Sequence, residues 1–363
     1  MEQHSHGAGI PLQIRSERPR STNPNEFPAI TVRDEQWRYL PVERLNGLDA
    51  GVSAFSGRLS EELPNGAEFA GTVGLPEDRI AAQVWGLGVV RHIKVQEGIK
   101  VIEVKNDAAA QGIQFFVSND KFSTSTLVLD HRGAGSLAEI VEIDVAPESN
   151  LTLITIQNMD EDAVIVSSQF AKLGRSSKFK HIVVSIGGKT IRVVPSVEFA
   201  GEGAEVEMLG AYFANGDQHI EHRPFVDHNV ANCTSNVAYK GALQGEKAHT
   251  VWVGDVLIRQ AAEGTKTYEL NRNLLLTDGS RADSVPNLEI ETGQIEGAGH
   301  ASASGRFDDE QLFYLQARGI PEIEAKRLVV KGFLNDVIAQ IGVEELQNEL
   351  NAEIESKLEG KAL

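Results

Sequence analysis

The amino-acid sequence predicts a mainly β protein with a helical domain at its C-terminus. Between about residues 92 and 298, short segments such as IVEIDV and HIVVSI alternate apolar and polar residues or carry β-branched runs. This pattern is typical of strands, and no long helical pattern interrupts it. After residue 306 the apolar residues recur at helical spacing. We therefore divide the chain into a flexible N-terminal arm (1–28), a helical or mixed N-terminal region (29–90), a β core (91–305) and a C-terminal helical domain (306–363).

The N-terminal elements are predicted from local signals. The arm is polar and rich in proline, which is typical of an extended or mobile segment. In VRDEQWRYLPVERL (32–45), Trp37 and Leu40 would share one face of a helix that Pro41 ends or redirects. The segment DRIAAQVWGLG (78–88) predicts a second short helix.

The architecture of the β core stays open when the residues alone are considered. In IVEIDV, Val141, Ile143 and Val145 point to one side of a strand, while Glu142 and Asp144 point to the other. A sandwich, a barrel and a β-helix all fit such strands. A stack of short turns uses many short strands readily, which favours the β-helix, but we find no strict sequence period that would decide the matter.

Three helices are predicted in the C-terminal domain. Asp308 can cap the first, Gly319 can end it, and Pro321 can open the second. The second helix carries an apolar stripe at three- and four-residue steps, formed by Val330, Phe333, Leu334, Val337, Ile338 and Ile341. The third has an apolar residue every four positions, at Leu346, Leu350, Ile354 and Leu358. Since so small a domain has little core of its own, the stripes are expected to rest on the β core, on a partner or on both.

Composition excludes several classes of protein. Of the 363 residues, 41% are apolar and 24% charged, as in soluble globular proteins, and the net charge of −18 disfavours nucleic acid and anionic membranes as partners. The single cysteine, Cys233, excludes an intrachain disulfide and a cysteine-rich metal site built by this chain alone. The N-terminus has no apolar core like that of a signal peptide, and no run of about 18 apolar residues could span a membrane. The cytoplasm is the expected compartment.

Two motifs are weak candidates for ligand sites. GGKT (187–190) resembles the end of a phosphate-binding loop, but Val183 stands where a glycine is needed and a strand pattern follows, so we predict a turn and no bound nucleotide. The segment HIEHRPFVDHNVANC (219–233) gathers three histidines with Cys233, the donors that borderline metals prefer. No standard zinc spacing fits, and polar loop residues with a buried thiol are the simpler interpretation.

His300 stands out because its neighbours, in GAGHASAS, are almost without side chains. Small neighbours would let a bulky ligand or a partner surface approach the imidazole closely. The alternative is an ordinary surface or core histidine. Because one imidazole cannot hold a metal alone, a ligand role for His300 requires further ligands, which we expect from another chain.

The sequence pattern is also compatible with an enzymatic function. No Ser/His/Asp arrangement can be assembled, although a pair of carboxylates such as glycosidases use is compatible with the many acidic residues. A β-helix carbohydrate-active enzyme is therefore one alternative function, against which the missing signal peptide counts. A structural, polymer-forming β-helix is another. Neither explains the C-terminal helices.

Four segments resemble the SufB/SufD family of iron–sulfur cluster assembly proteins. The most specific is LEIETGQIEGAGHASASGRFDDEQLFYLQARGIP (288–321), and NRNLLLTDGSRADSVPNLEI (271–290) extends it upstream. DHNVANCTSNVAYKGAL (227–243) looks like the central segment of the family, and DEQWRYLPVERL (34–45) resembles its N-terminal entry motif. Thr292 stands where the SufB branch carries a cysteine, and SufB chains are longer, so the SufD branch is favoured.

The resemblance implies a fold and a set of partners. The fold is a right-handed parallel β-helix between an N-terminal helical region and a C-terminal helical domain. The implied function is that of a non-catalytic scaffold that pairs with a SufB-like chain and binds a SufC-like ATPase of the ABC type through the C-terminal helices. Phe333, Leu334 and Val337 are the residues we predict for the ATPase contact, with packing inside the domain as the alternative.

The implied site combines both chains. A transient iron–sulfur cluster would form at the interface with SufB, with His300 supplied by this chain as an iron ligand and a cysteine supplied by SufB. A SufB-like scaffold that holds a cluster as a homodimer is the alternative within the family. Cys233 lies in a segment that varies in the family, so the resemblance assigns it no role.

Overall fold

The computed structural model describes residues 18–306 and 309–359. The predicted cap Asp308 and the first 17 residues of the predicted arm lie outside these ranges. Nineteen strands form within them, in chain order β1 Ser53–Ala54, β2 Arg58–Leu59, β3 Val90–Val95, β4 Gly98–Lys105, β5 Gln111–Asn119, β6 Thr124–Arg132, β7 Ser136–Val145, β8 Asn150–Gln157, β9 Val164–Leu173, β10 Lys178–Ser185, β11 Thr190–Phe199, β12 Glu205–Asn215, β13 His219–His222, β14 Phe225–His228, β15 Thr234–Gln244, β16 His249–Ile258, β17 Lys266–Leu275, β18 Arg281–Ile290 and β19 Gly297–Gly305.

Four α-helices lie in the described ranges: α1 Arg79–Trp85 between β2 and β3, and α2 Asp309–Ala317, α3 Glu322–Ile338 and α4 Glu344–Glu359 after the last strand. Helix α1 confirms the prediction for residues 78–88, with Asp78 accepting a hydrogen bond from the Ala81 amide at its N-terminus. The helix predicted for residues 32–45 is wrong, because this segment forms turns and one 3-10 turn, Val42–Leu45. In the described ranges, no helix has the length and apolar character that crossing a bilayer requires.

The strands wind into a parallel β-helix, which confirms the predicted fold class and removes the sandwich and the barrel. Two sheets face each other: sheet A contains β1, β3, β5, β7, β9, β11, β13, β14, β16 and β18, and sheet B contains the others. Every turn-to-turn pairing from β3 and β4 onward is parallel. The repeat varies in length, since Gln111 pairs with Leu137, 26 positions on, whereas Thr250 pairs with Ala282, 32 positions on.

The interior of the β-helix is a continuous apolar core between the two sheets. Val141, Ile143 and Val145 point into it as predicted, and Asp144 is exposed on the opposite side. Glu142 lies on that outer side too, but it is buried. The outer side of sheet A is therefore covered in part.

The N-terminal region covers the outer face of sheet A. Trp37, Leu40 and Ile80 pack there against apolar side chains of the strands, including Phe116 and Phe170. Burying this face removes apolar surface from water, at about 25 cal/mol per Å². We call residues 18–88 the N-terminal layer.

Polar contacts fix the N-terminal layer in place. The Glu142 carboxylate accepts hydrogen bonds from the amides of Gly71, Val73 and Gly74, at 2.9, 3.1 and 3.3 Å, and from the Gln114 side chain at 3.0 Å. Despite these bonds, burial raises the pKa of Glu142. The carboxylate thus supplies hydrogen-bond acceptors to these loop amides, which would otherwise be buried without partners.

Part of the predicted arm belongs to the same layer. Phe27 is buried, and Arg18 bridges Glu77 and Asp255 at 3.2 Å each. Asp255 lies on β16, 237 positions from Arg18. Residues 18–28 therefore contact the rest of the layer through Arg18 and Phe27, while most of their other side chains are exposed.

A buried ion cluster joins the N-terminal layer to sheet A. Glu221 is fully buried and accepts hydrogen bonds from Arg192 and, at 3.2 Å, from Arg223. Arg223 also donates to the backbone carbonyls of Glu35 and Gln36. The Arg192 guanidinium lies 4.1 Å from the centroid of the Trp37 ring. The two arginines therefore tie residues 35–37 to the strands.

The C-terminal helices cover the outer face of sheet B. Val330, Leu334, Val337 and Ile338 of α3 are buried there, and α4 adds Leu350, Ile354 and Leu358. Leu334 is 0% exposed and Val337 3% exposed. The apolar stripe predicted from the sequence therefore packs on the chain's own β core. The prediction that Leu334 and Val337 contact a partner needs correction, because the sheet already covers them.

Candidate functional site

The β-helix has an open end at its last turn. Within the described residues, β18 pairs with β16 alone and β19 with β17 alone, so each leaves one edge without a strand neighbour. All ten residues of β18 and all nine of β19 are at least partly exposed, whereas the strands of the middle turns are largely buried. Such edges offer backbone donors and acceptors to another strand. We call β18 and β19 the terminal turn.

His300 lies in the terminal turn and is exposed. It pairs in register with Glu269, which in turn pairs with Val237 of the apolar core. Residues in register on parallel strands point to the same side, so His300 is on the side that faces the helix axis, at the open end. The rest of its strand carries only small side chains, as the sequence indicates, although a Cβ added to Gly299 would meet the Tyr268 ring at 3.2 Å.

Glu269 lies one turn below His300 and was not predicted as a site residue. It is 1% exposed, and neither carboxylate oxygen has a hydrogen-bond partner among the described residues. Burial, helped by the charge of Asp255, raises the pKa of Glu269 to about 8. On the facing sheet, a Cβ on Gly254 would lie 2.6 Å from Glu269 Oε1, so this glycine leaves the carboxyl group its space.

Beside His300 and Glu269, a network of hydrogen-bonded polar side chains links the two sheets. The Tyr212 hydroxyl donates to Asn273 Oδ1 at 2.7 Å and accepts from Asn271 Nδ2 at 2.9 Å. Asn273 Nδ2 reaches Ser304 Oγ at 3.3 Å, and Ser284 Oγ donates to Asn271 Oδ1 at 2.5 Å. Burial raises the pKa of Tyr212, so the phenol stays neutral and acts only through hydrogen bonds. The network anchors both strands of the terminal turn to the interior.

The donors of the histidine-rich segment lie on different sides of the strands. His219 and His222 are three positions apart on one strand and face opposite sides, with His219 against His249 and His222 within 3.0 Å of Ser185. Burial lowers the pKa of His222 and of His228 to about 3. No group of three or more His, Cys, Asp or Glu side chains suited to a metal occurs in the part of the chain that the structure describes.

Cys233 is a buried thiol. Its Sγ lies 3.4 Å from the Ala231 carbonyl and 3.6 Å from the Gly201 carbonyl, and burial raises its pKa. A thiol of this kind is a poor nucleophile and a poor metal ligand, because both roles need the thiolate. The residue packs in the apolar core.

The GGKT segment forms a turn, as predicted. Gly188 has a φ of +85°, and the strand β11 follows directly at Thr190. A Cβ on Gly187 would lie 2.3 Å from the Met159 carbonyl oxygen, so the close approach of the previous turn accounts for this glycine. The glycines therefore serve the tight corner of the β-helix.

Four large apolar side chains of the C-terminal helices are exposed. Phe313 is 72% exposed and Tyr314 56%, both on α2, and Ile323 and Leu328 of α3 are exposed as well. We call these four residues the helical patch. Phe333, which was predicted to contact a partner, is half-buried, with the Lys240 ammonium 5.1 Å from its ring centroid.

Comparison with known proteins assigns the family. Residues 101–333 match the family described as "SUF system FeS cluster assembly, SufBD core domain". The chain is 47% identical over 353 residues to an iron-sulfur cluster assembly SufBD family protein of Mycobacterium bovis, covering 90% of this chain and 89% of that protein. A relative with the same description in Mycobacterium leprae is 45% identical, covering 90% of each chain.

A SufBD family protein of Mycobacterium tuberculosis is less similar to this chain. It is 31% identical over 221 residues, which are 61% of this chain and 26% of that protein. The family match extends across the β-helix from β4 into α3 and includes His300 and Glu269. The fold and the close relatives agree, and the chain belongs to the SufBD family of the SUF system for iron–sulfur cluster assembly.

Proposed function

We propose that this chain is a SufD-type scaffold subunit, without catalytic activity of its own, that works in the cytoplasm with a SufB-like chain and a SufC-like ATPase. The observation that supports this most is the exposed His300 on a terminal turn whose strand edges have no neighbour in the described chain. A β-helix of a second subunit can pair with such an edge. Family membership favours this function over a carbohydrate-active enzyme.

The cluster is the cargo of this subunit and forms at the interface with the SufB-like chain. Imidazole is an established iron ligand in iron–sulfur centres, and His300 is exposed among the small residues of β19. The sulfur ligands come from the partner, because Cys233 is buried in the core of this chain. Threonine at position 292, where the SufB branch carries a cysteine, favours the SufD assignment.

The ATPase binds the C-terminal helices and acts on the site through them. Strand β19 ends at Gly305 and α2 begins at Asp309, so a force on α2 reaches the strand of His300 through very few residues. Binding of ATP by the ATPase favours one arrangement of the helices, and this arrangement opens or strains the interface. The helical patch replaces Leu334 and Val337 as the proposed contact surface, since its large apolar side chains are exposed and theirs are not.

Replacing Phe313 with aspartate is expected to abolish capture of the ATPase in a pull-down assay while leaving the melting temperature unchanged. Phe313 is 72% exposed and contributes little to folding. The matched variant Leu334→Asp places a charge in the buried layer and should lower the melting temperature strongly. Normal ATPase capture by Phe313→Asp would contradict the assignment of the helical patch.

Purification of the tagged full chain from its own cells tests the proposed function as a whole. We expect two companions in stoichiometric amounts, a SufB-like chain and an ABC-type ATPase. A homodimer that binds iron and sulfide by itself would favour the SufB-like alternative. A solitary monomer whose deletion leaves cellular iron–sulfur enzymes active would contradict both.

A further inference from the structure

We propose that Glu269 is a second iron ligand from this chain, acting together with His300 at the open end of the β-helix. This inference rests on the proposed function and deepens it, because it gives the chain a two-donor half-site instead of one imidazole. The partner then completes the coordination of the metal.

The register of the strands places the two donors together. Glu269 of β17 pairs with His300 of β19, and neighbouring strands lie about 4.8 Å apart. Both side chains project to the side that faces the helix axis, where Val237 continues the same row into the apolar core. A metal ion held above this row would meet an imidazole nitrogen and a carboxylate oxygen.

The state of the Glu269 carboxyl group is what makes it unusual. It is 1% exposed, and both oxygens have no partner among the described residues. Burying a carboxyl group without hydrogen bonds costs free energy, so natural proteins seldom keep one without a use. Glu142, which is equally buried, shows the ordinary solution, with three amides and one side-chain amide around it.

Access to Glu269 comes from the open end. The terminal turn is the single layer between this carboxyl group and the end of the described β-helix, and its strand β19 is formed largely of glycine, alanine and serine. Gly254 on the facing sheet keeps the space next to Oε1 free of side-chain atoms of its own. A cation that reaches His300 is therefore one strand spacing from Glu269.

The donor chemistry fits iron. Imidazole and carboxylate are the ligands of many non-haem Fe(II) sites, and the remaining positions stay open for ligands of a partner or for sulfide. A purely structural carboxyl group would instead be indifferent to metal. The two interpretations differ in what a substitution does to metal affinity.

The test measures binding of Co²⁺, a visible stand-in for Fe²⁺, under anaerobic conditions to the complex of the full chain with its SufB-like partner. We expect Glu269→Gln, Glu269→Met and His300→Ala each to weaken Co²⁺ binding, with a Kd higher by at least about tenfold. The matched control Glu296→Gln, an exposed carboxylate in the turn before β19, should leave the Kd unchanged. X-ray absorption of the wild-type complex should show mixed nitrogen and oxygen ligation.

The outcomes separate this inference from the proposed function. An unchanged Kd in both Glu269 variants, with weakened binding in His300→Ala, would overturn the role of Glu269 and leave the scaffold function standing. Absence of Co²⁺ binding by the wild-type complex would overturn both. Should one Glu269 variant fail to fold, the other and the absorption spectrum of the wild type still decide the question.

Discussion

Replacing His300 with alanine is expected to reduce the yield of assembled cluster by at least about tenfold, without a measurable change in stability. Loss of an outer-shell partner of a metal ligand already costs 10- to 100-fold in affinity, so loss of the ligand itself should cost no less. His300 is exposed, and substitutions at exposed positions usually change stability by less than about 0.5 kcal/mol. The measurement is cluster reconstitution in the complex with the SufB-like chain, beside a thermal melt.

The matched control for this substitution is Ser302→Ala. Ser302 lies two residues along the same strand, on the same side, and is also exposed. It should retain full cluster yield, because its small hydroxyl is not part of the proposed half-site. Full activity of His300→Ala in cells would show that the imidazole only shapes the interface.

Replacing Glu221 with glutamine is expected to destabilise the protein by about 3–5 kcal/mol, because it leaves two buried arginines without their counter-charge. Glu221 is fully buried and contacts both Arg192 and Arg223. The N-terminal layer should loosen first, since these arginines also hold Trp37 and the carbonyls of residues 35 and 36. Scanning calorimetry together with proteolysis of the N-terminal layer measures the effect.

The same residue sets a dependence of stability on pH. Burial alone would raise the pKa of Glu221, but the charge of Arg192, with smaller effects of His219 and Arg223, lowers it to about 2, from a normal value of 4.5. A carboxyl group with a lowered pKa stabilises the fold above its unfolded pKa, and this stabilisation is lost as the pH falls through 4.5 towards 2. The difference in melting temperature between wild type and Glu221→Gln should therefore shrink in that range.

A surface ion pair provides the control for both effects. Glu207 pairs with Lys180 at 3.0 Å, and its side chain is 37% exposed. Exposed pairs contribute about 0–1 kcal/mol, so Glu207→Gln should change the melting temperature little at any pH. An equal loss in Glu221→Gln and Glu207→Gln would contradict the structural role of the buried ion cluster.

The strands were predictable from the sequence because their alternation reports which side faces the core. Val141, Ile143 and Val145 behave as their spacing indicates. Glu142 does not, because alternation says nothing about what covers the outer side, and there the amides of the N-terminal layer take the place of water. The β-helix lacked a visible period since its turns differ in length, from 26 positions at Gln111 to 32 at Thr250.

Of the two proposed ligands of the candidate site, one could be predicted from the sequence. His300 could be singled out because its neighbours are small, which is a local property of the sequence. Glu269 lies 31 positions earlier and is brought beside His300 only by the register of two strands, which no local pattern reports. The stripe containing Leu334 and Val337 was found correctly, but an apolar stripe has the same spacing whether it packs on its own sheet or on another chain.

The bridge from Arg18 to Asp255 has a consequence for how the molecule comes apart. In a stack of repeats each turn touches only its neighbours, and such stacks can fray one turn at a time. Arg18 and the residues around it span several turns at once, joining β16 to the segment that also lies over β5, β7 and β9. The ion pair between Arg18 and Asp255 therefore couples the loss of one turn to the loss of several, so we expect the stack to unfold as a unit and not turn by turn.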